Sequence, residues 1–279
     1  RETQPSDFAY YDQDINTMLE IYSGHGSCEL IGEENPYPEE GEIEEPGYSL
    51  RDALQMGRRF GIMASSDTHD GRMGHDLLHT RARTLTQQPY TLAAYHYSER
   101  YPGGLTGLYI PQLSREHVFN GLKTRSGYAT TGINRHVVNF SVNGISVGRD
   151  DSTVVVPSLH ARRTLKISAL ADGNSLSPDT LTLITRIDVV KNSEEWRTYE
   201  NVDQRLIQLT LKDDSEITGT RYEDRIQRKD GNHYIHSQST KPVNPDELNT
   251  GGADYYYVRI QDSNGGAAWM GPIWVEVEA

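Results

Sequence analysis

The sequence predicts an α/β region followed by an all-β region, and three observations carry that reading. Up to about Asn134, short apolar runs alternate with capped helical segments. From about Arg135 onward, strict two-residue alternation takes over, with turn residues between the runs. The third observation is length, since 279 residues suffice for two such units, each with its own core. We therefore divide the chain into residues 1–134 and 135–279.

In the first part, Met18-Leu19-Glu20-Ile21-Tyr22 reads as a short strand. Ser49 reads as the N-cap of a helix through Arg59, with Asp52 completing a capping box. Leu50, Ala53, Leu54 and Gly57 share one face of it. Phe60 to Ala64 is the next buried strand. A loop-rich stretch follows from about Gly71 to Gln112, and long loops in compact domains are often functional. Ser114 caps a second helix with Val118, Phe119 and Leu122 on one stripe. Lys123 and Arg125 in its last turn complement the dipole, and Gly127 ends it. In the second part, Val137–Val142 alternates and meets the turn Asn143-Gly144. Leu165–Ala171, Leu183–Val190, Leu206–Leu211, Tyr255–Ile260 and Ile273–Val277 follow the same pattern, which predicts an antiparallel β-sandwich.

The formal net charge of −13 argues against a nucleic-acid partner, whose footprint is basic, and against an anionic membrane surface. An anionic substrate stays open, because a bound metal ion can invert the local field. The acidic residues Glu33, Glu34, Glu39, Glu40, Glu42, Glu44 and Glu45 crowd among Pro36, Pro38 and Pro46, as in an exposed loop. Cys28 is the only cysteine, so no intramolecular disulfide forms. A soluble protein is expected, with periplasmic, secreted and cytoplasmic locations all open. No apolar run approaches the roughly 18 residues of a membrane span. No signal peptide is visible, and a start at Arg1 without Met suits a processed product or a fragment.

The chemistry concentrates in Ser65-Ser66-Asp67-Thr68-His69-Asp70-Gly71, just past the Phe60–Ala64 strand. Asp67 and His69 offer a hard oxygen and an imidazole, the mix that suits zinc, iron or manganese. Strand C-termini are where α/β barrels build their active sites. A second polar cluster, Glu20 to Glu29, also begins on a strand and spills into a Gly-rich loop. There Glu20 is a metal ligand or a loop anchor. His25, between two glycines, is a site residue or a turn residue. Glu29 is a base, a substrate contact or a surface carboxylate. Cys28 is a nucleophile or, as is commoner, a small buried hydrophobe. His75 and His79 have chelating spacing but sit in a short, glycine-flanked segment, and the other histidines lack supporting context. Tyr128-Ala129-Thr130-Thr131-Gly132 is an oxyanion-receiving segment or a strand, with Arg125 as the nearest anion partner. There is no Walker loop, dinucleotide fingerprint or Gly-x-Ser-x-Gly elbow.

Taken together, Glu20-Ile21-Tyr22-Ser23, His25-Gly26, Glu29, Phe60-Gly61, Ser65-Ser66-Asp67-Thr68-His69, Gly104-Leu105-Thr106-Gly107 and Tyr128 to Gly132 resemble the PHP (polymerase and histidinol phosphatase) superfamily. More narrowly they resemble a branch known mainly as a domain of unknown function. Tyr257-Val258-Arg259-Ile260 and Ala268-Trp269 with Pro272 to Val275 resemble the C-terminal β region of that branch. The resemblance implies a distorted (β/α)7-like barrel, of which residues 1–134 are the C-terminal part. It also implies phosphoester hydrolysis on two or three divalent transition-metal ions, with Asp67 and His69 as the last ligands in chain order. The family's early His-x-His pair, bridging Glu and further histidines have no counterpart here, since no His precedes His25. The expected missing partner is therefore an N-terminal half of the same protein.

On this reading, Glu20, Asp67 and His69 hold metal, a metal-bound water attacks phosphorus, Arg125 offsets developing charge, and His25 and Glu29 orient substrate or move protons. The substrate is a small molecule, phosphorylated on the leading expectation. The alternatives are hydrolysis of a carboxylic ester or amide at the same metals, or a non-catalytic binding or structural module descended from such an enzyme.

Overall fold

The computed structural model describes residues 8, 11–32, 35–37, 47–66, 103–131, 135–172, 181–219 and 253–278. Three layers result. The first holds β1 (Met18–Ser23), β2 (Gly26–Ser27), α1 (Leu50–Gln55) and β3 (Gly61–Ala64), with strand order β2-β1-β3. The second is a seven-stranded sheet of β4 (Gly104–Leu108), β5 (Gly127–Thr131), β8 (Thr153–Val156), β10 (Ile184–Lys191), β11 (Glu194–Gln204), β13 (Asp254–Asp262) and β14 (Ala267–Val277). Its order is β11-β10-β13-β14-β5-β4, with β8 joined in parallel to the second half of β14. The third is the antiparallel sheet β12-β9-β6-β7, made of β6 (Val137–Val142), β7 (Ile145–Ser146), β9 (Arg163–Leu170) and β12 (Leu206–Asp213). The remaining helix, α2 (Arg115–Lys123), connects β4 to β5.

This architecture overturns the expected (β/α)7-like barrel. A barrel needs successive parallel strands, each followed by a helix. Among the described residues only β1, α1 and β3 form such a unit, with β1 and β3 parallel. β4 and β5 instead form an antiparallel pair and join β14 through Ala268, Trp269 and Met270. The central sheet thus draws strands from both sides of residue 134, and β4 lies inside the stretch expected to be loop.

Packing follows from side-chain alternation. On β13, Tyr256, Val258 and Ile260 face the four-stranded sheet, meeting Phe140, Val142, Leu165 and Ile167 in the larger core. Tyr255 and Tyr257 face the other way, toward Ile21, Leu50, Leu54 and Ile62. Both faces of the central strands are therefore covered, which is why β13 and β14 read as nearly unbroken apolar runs. Each such side chain contributes about 1.5–3 kcal/mol by leaving water. Trp269 anchors the second core, stacked on Tyr22 at 5.8 Å and edge-on to Tyr37 at 5.9 Å.

Both helices start as the sequence predicts and stop differently. Ser49 and Asp52 form the complete capping box of α1. The helix ends at Gln55 rather than Arg59, because Gly57 takes a φ of +75°. The N–H of Gly57 then bonds Leu54 O at 3.0 Å, and that of Arg58 bonds Ala53 O at 3.0 Å, a Schellman ending. α2 ends in the same motif with Arg125 at φ +60° in the glycine position, its N–H on Leu122 O and that of Ser126 on Gly121 O. The stripe expected on α2 is not a core stripe, since Phe119 is exposed and Gly121 is the residue that packs inward.

Candidate functional site

Because β1 and β3 are parallel, their C-terminal ends open on the same rim. Glu20 is exposed on β1 opposite Met63 of β3, and its carboxylate accepts a hydrogen bond from Ser65 Oγ. The chain past β3 is pinned tightly. The Ser65 N–H donates to Tyr22 O at 3.1 Å, and the Gly104 N–H donates to Ser65 O at 2.6 Å. Thr106 Oγ1 accepts from the Ala64 N–H at 3.0 Å and donates to Ala64 O at 2.6 Å, tying β4 to the end of β3. A side chain at Gly103 would meet Ser66 Cα at 2.6 Å, and one at Gly104 would meet Ala64 Cβ at 2.6 Å, so glycine is what allows this approach. His25 is half-buried in the turn between β1 and β2, its N–H donating to Ser23 Oγ at 3.3 Å. The Cys28 thiol donates to Glu20 O at 3.1 Å.

The structure thus joins Glu20 to Ser65 and places His25 in the turn that follows β1. Asp67 and His69, like His75, His79 and most of the acidic segment, lie outside the described residues. Among the described residues, no group of three or more His, Cys, Asp or Glu side chains is placed to hold a metal ion. Glu20 alone falls short of the three or four donors a metal needs.

Glu29 and Arg125, the other two candidates, are placed as structural clamps. Glu29 is fully buried and accepts from Trp269 Nε1 (2.7 Å), the Tyr257 phenol (2.8 Å), Arg259 Nη1 (2.9 Å) and Arg51 Nη2 (3.3 Å). All four donors lie inside the fold, so the carboxylate ties α1 to β13 and β14. Arg125 is buried too. It donates to Arg59 O at 2.8 Å and Gln13 O at 3.2 Å and pairs with Asp151, which leaves its charge inside the fold. Tyr128 to Thr131 lie in strand β5, where Thr131 Oγ1 accepts the Ala267 N–H at 3.0 Å.

Sequence reasoning missed the network around Glu29. Arg259 also bonds Asp188 at 2.9 Å and Glu195 at 3.4 Å, while Arg51 reaches Glu195 at 2.7 Å. Arg186 and Thr198 complete the shell of Asp188 at 3.0 and 2.8 Å. The available signal was a charge inside an apolar run, as in Ile187-Asp188-Val189 and Val258-Arg259-Ile260. Burial by itself raises Asp188 and Glu195, but bonds from Arg186, Arg259 and Thr198 to the one, and from Arg51 to the other, outweigh it and hold both below their ordinary values of 3.8 and 4.5. A carboxylate with a lowered folded-state pKa contributes stability that is complete above its unfolded pKa and lost as pH falls toward the folded one. Urea midpoints should therefore stay flat from neutrality to about pH 5 and fall below about pH 4. Asp188→Asn should shrink that acid loss. An unchanged acid limb in the variant would remove Asp188 from the account.

Known proteins add the following. The family described as "Protein of unknown function (DUF3604)" matches residues 47–161. An uncharacterized protein of Chlamydia muridarum (strain MoPn / Nigg) is 25% identical, the match covering 97% of this chain and 36% of that protein. Uncharacterized proteins of Chlamydia trachomatis serovar D and Chlamydia pneumoniae are 25% and 26% identical with the same coverage. The chain therefore spans about a third of the length of the curated relatives it matches. No solved structure matches. Among the described residues no helix is long and apolar enough to cross a membrane. The chain is thus similar, over residues 47–161, to a family of unassigned function and, over most of its length, to one third of much longer chlamydial proteins.

Proposed function

We propose that this chain is part of a metal-dependent hydrolase of the phosphoesterase class, with Glu20, Asp67 and His69 contributing to a metal centre completed by another segment of a longer protein. The observation that supports this reading is the bond between Glu20, midway along β1, and Ser65, just past the end of the parallel β3. Asp67 and His69 follow Ser65 by two and four residues in the sequence, so a second carboxylate and an imidazole lie close to it along the chain. The coverage of only 36% of the relatives' length supports a site finished elsewhere in the protein. A bound divalent transition metal would supply a nucleophilic water near neutral pH and stabilise developing oxyanion charge. On this chain Glu20 and Ser65 orient one another, and His25, in the turn after β1, would hold substrate or protonate a leaving group.

The test is elemental mass spectrometry on the longer protein, alongside turnover of p-nitrophenyl phosphate mono- and diesters with and without chelator. Two or three transition-metal ions per molecule and chelator-sensitive turnover are expected. Asp67→Ala should lose most of both, and Glu20→Gln a part. Metal content and turnover unchanged in Asp67→Ala would sink the proposal. A metal-free protein would favour a binding module.

A further inference from the structure

One end of the sandwich is closed by four charged side chains. Lys191, the last residue of β10, and Asp254, the first of β13, come from the seven-stranded sheet. Arg163 and Asp213, paired in register at the ends of β9 and β12, come from the four-stranded sheet. Arg163, Asp213 and Asp254 are buried, and the Lys191 side chain is 12% exposed. Lys191 Nζ lies 2.9 Å from Asp213 Oδ2 and 3.0 Å from Asp254 Oδ2.

The two carboxylates differ. Asp213 accepts from the Tyr256 phenol at 2.6 Å, from Lys191, and from the hydroxyl and N–H of Ser215 at 2.7 and 2.9 Å, with Arg163 at 3.2 Å. Asp254 Oδ1 accepts from Asn192 Nδ2 at 2.8 Å and from the N–H groups of Gly219 and Thr218 at 3.1 and 3.3 Å. Its Oδ2 is buried with no hydrogen-bond partner among the described residues, and Lys191 approaches it outside hydrogen-bond geometry. A buried carboxylate oxygen without a donor is costly. It is also the oxygen that a nucleophile could displace with the least loss of bonding.

We propose that Lys191 and Asp254 condense into an intramolecular isopeptide bond, with Asp213 carrying the protons. Asp213 takes a proton from the Lys191 ammonium and passes it to Asp254 Oδ2. The neutral Nζ attacks Asp254 Cγ, forming the C–N bond. A second proton then leaves Nζ through Asp213 to the same oxygen, the C–O bond breaks, and water departs. An ammonium and a carboxylate become one amide and one water, so no co-reactant is needed. The charges suit this partition: the reacting pair vanishes and Arg163 and Asp213 remain as a neutral pair at 3.2 Å. Removing two buried charges relieves their desolvation. Holding amine and acyl carbon side by side supplies the effective concentration that free lysine and aspartate lack in water. The Tyr256 ring, 5.7 Å from Nζ, walls one side of the cluster and limits water.

The experiment is intact-mass measurement of the purified protein followed by peptide mapping. The expected result is a mass lower than that of the sequence by one water, with the Lys191 peptide joined to the Asp254 peptide. The joined peptide is the criterion, because Asp70-Gly71, Asp172-Gly173 and Asp230-Gly231 can also lose water by cyclisation. Lys191→Arg should return the full sequence mass, and Asp213→Ala should leave Lys191 and Asp254 unlinked. A wild-type protein whose Lys191 peptide is recovered free overturns the proposal, and this measurement stands however the variants fold. A link to Asp213 in place of Asp254 overturns the assignment of the acyl partner, and a linked Asp213→Ala protein overturns that of the proton carrier.

Discussion

Replacing Glu29 by alanine is expected to lower folding stability by about 3–5 kcal/mol, the usual cost of removing one partner from a buried ion pair. The carboxylate sits where α1 and β2 meet the central sheet, and its partners come from β13, β14 and α1. Without it, Arg259 keeps Asp188 and Arg51 keeps Glu195. The Tyr257 hydroxyl and the Trp269 indole N–H, both buried, lose their acceptor. Each such orphan costs about 1–3 kcal/mol, which accounts for most of the expected loss. Urea titration at neutral pH reads it directly. If Glu29 were a catalytic base, the variant would keep its unfolding midpoint and lose turnover instead, so stability and activity together separate the two roles. Glu29→Gln, which retains one acceptor oxygen but sets an amide against the donors, should fall between wild type and alanine.

The second large effect is expected at Trp269. Its side chain is fully buried between the α/β layer and the central sheet, against Tyr22 and Tyr37. Truncation to alanine should cost about 3–5 kcal/mol, from lost transfer energy plus the cavity that rigid neighbours cannot fill. Its indole also serves Glu29 at 2.7 Å, so the two substitutions share a partner. The double variant should therefore lose less than the sum, with a coupling of about 0.5–3 kcal/mol. Strict additivity in denaturant titration would show that this hydrogen bond contributes nothing.

Strands whose two faces differ were legible in the sequence. Val137–Val142 runs between the residues that the alternation marked, and the Ser49 cap with its Asp52 partner stands as read. What failed was pairing. Parallel and antiparallel neighbours use the same apolar residues, so nothing in Leu105-Thr106-Gly107 or Tyr128-Ala129-Thr130 announced that β4 and β5 would pair antiparallel and join β14. Strand β11 went unseen because it lies at the sheet edge and is polar along most of its length, as edge strands often are. At the site, Glu20 of β1 meets Ser65 just past β3. Glu29 and Arg125 are instead buried, because partners distant in sequence determine whether a charged side chain faces a cleft or a core. Trp269 is 240 positions from the carboxylate it serves.

The position of β14 has a consequence for biosynthesis. Its first half is the strand to which β5 pairs, yet Ala267 follows Thr131 by 136 positions. At about 5–20 residues per second, a ribosome needs roughly 7 to 27 s to make that interval. Throughout it, the nascent β4–β5 pair has no native neighbour on the side that β14 will cover. The central sheet therefore closes late, and its assembly follows the emergence of β14 rather than the order of translation.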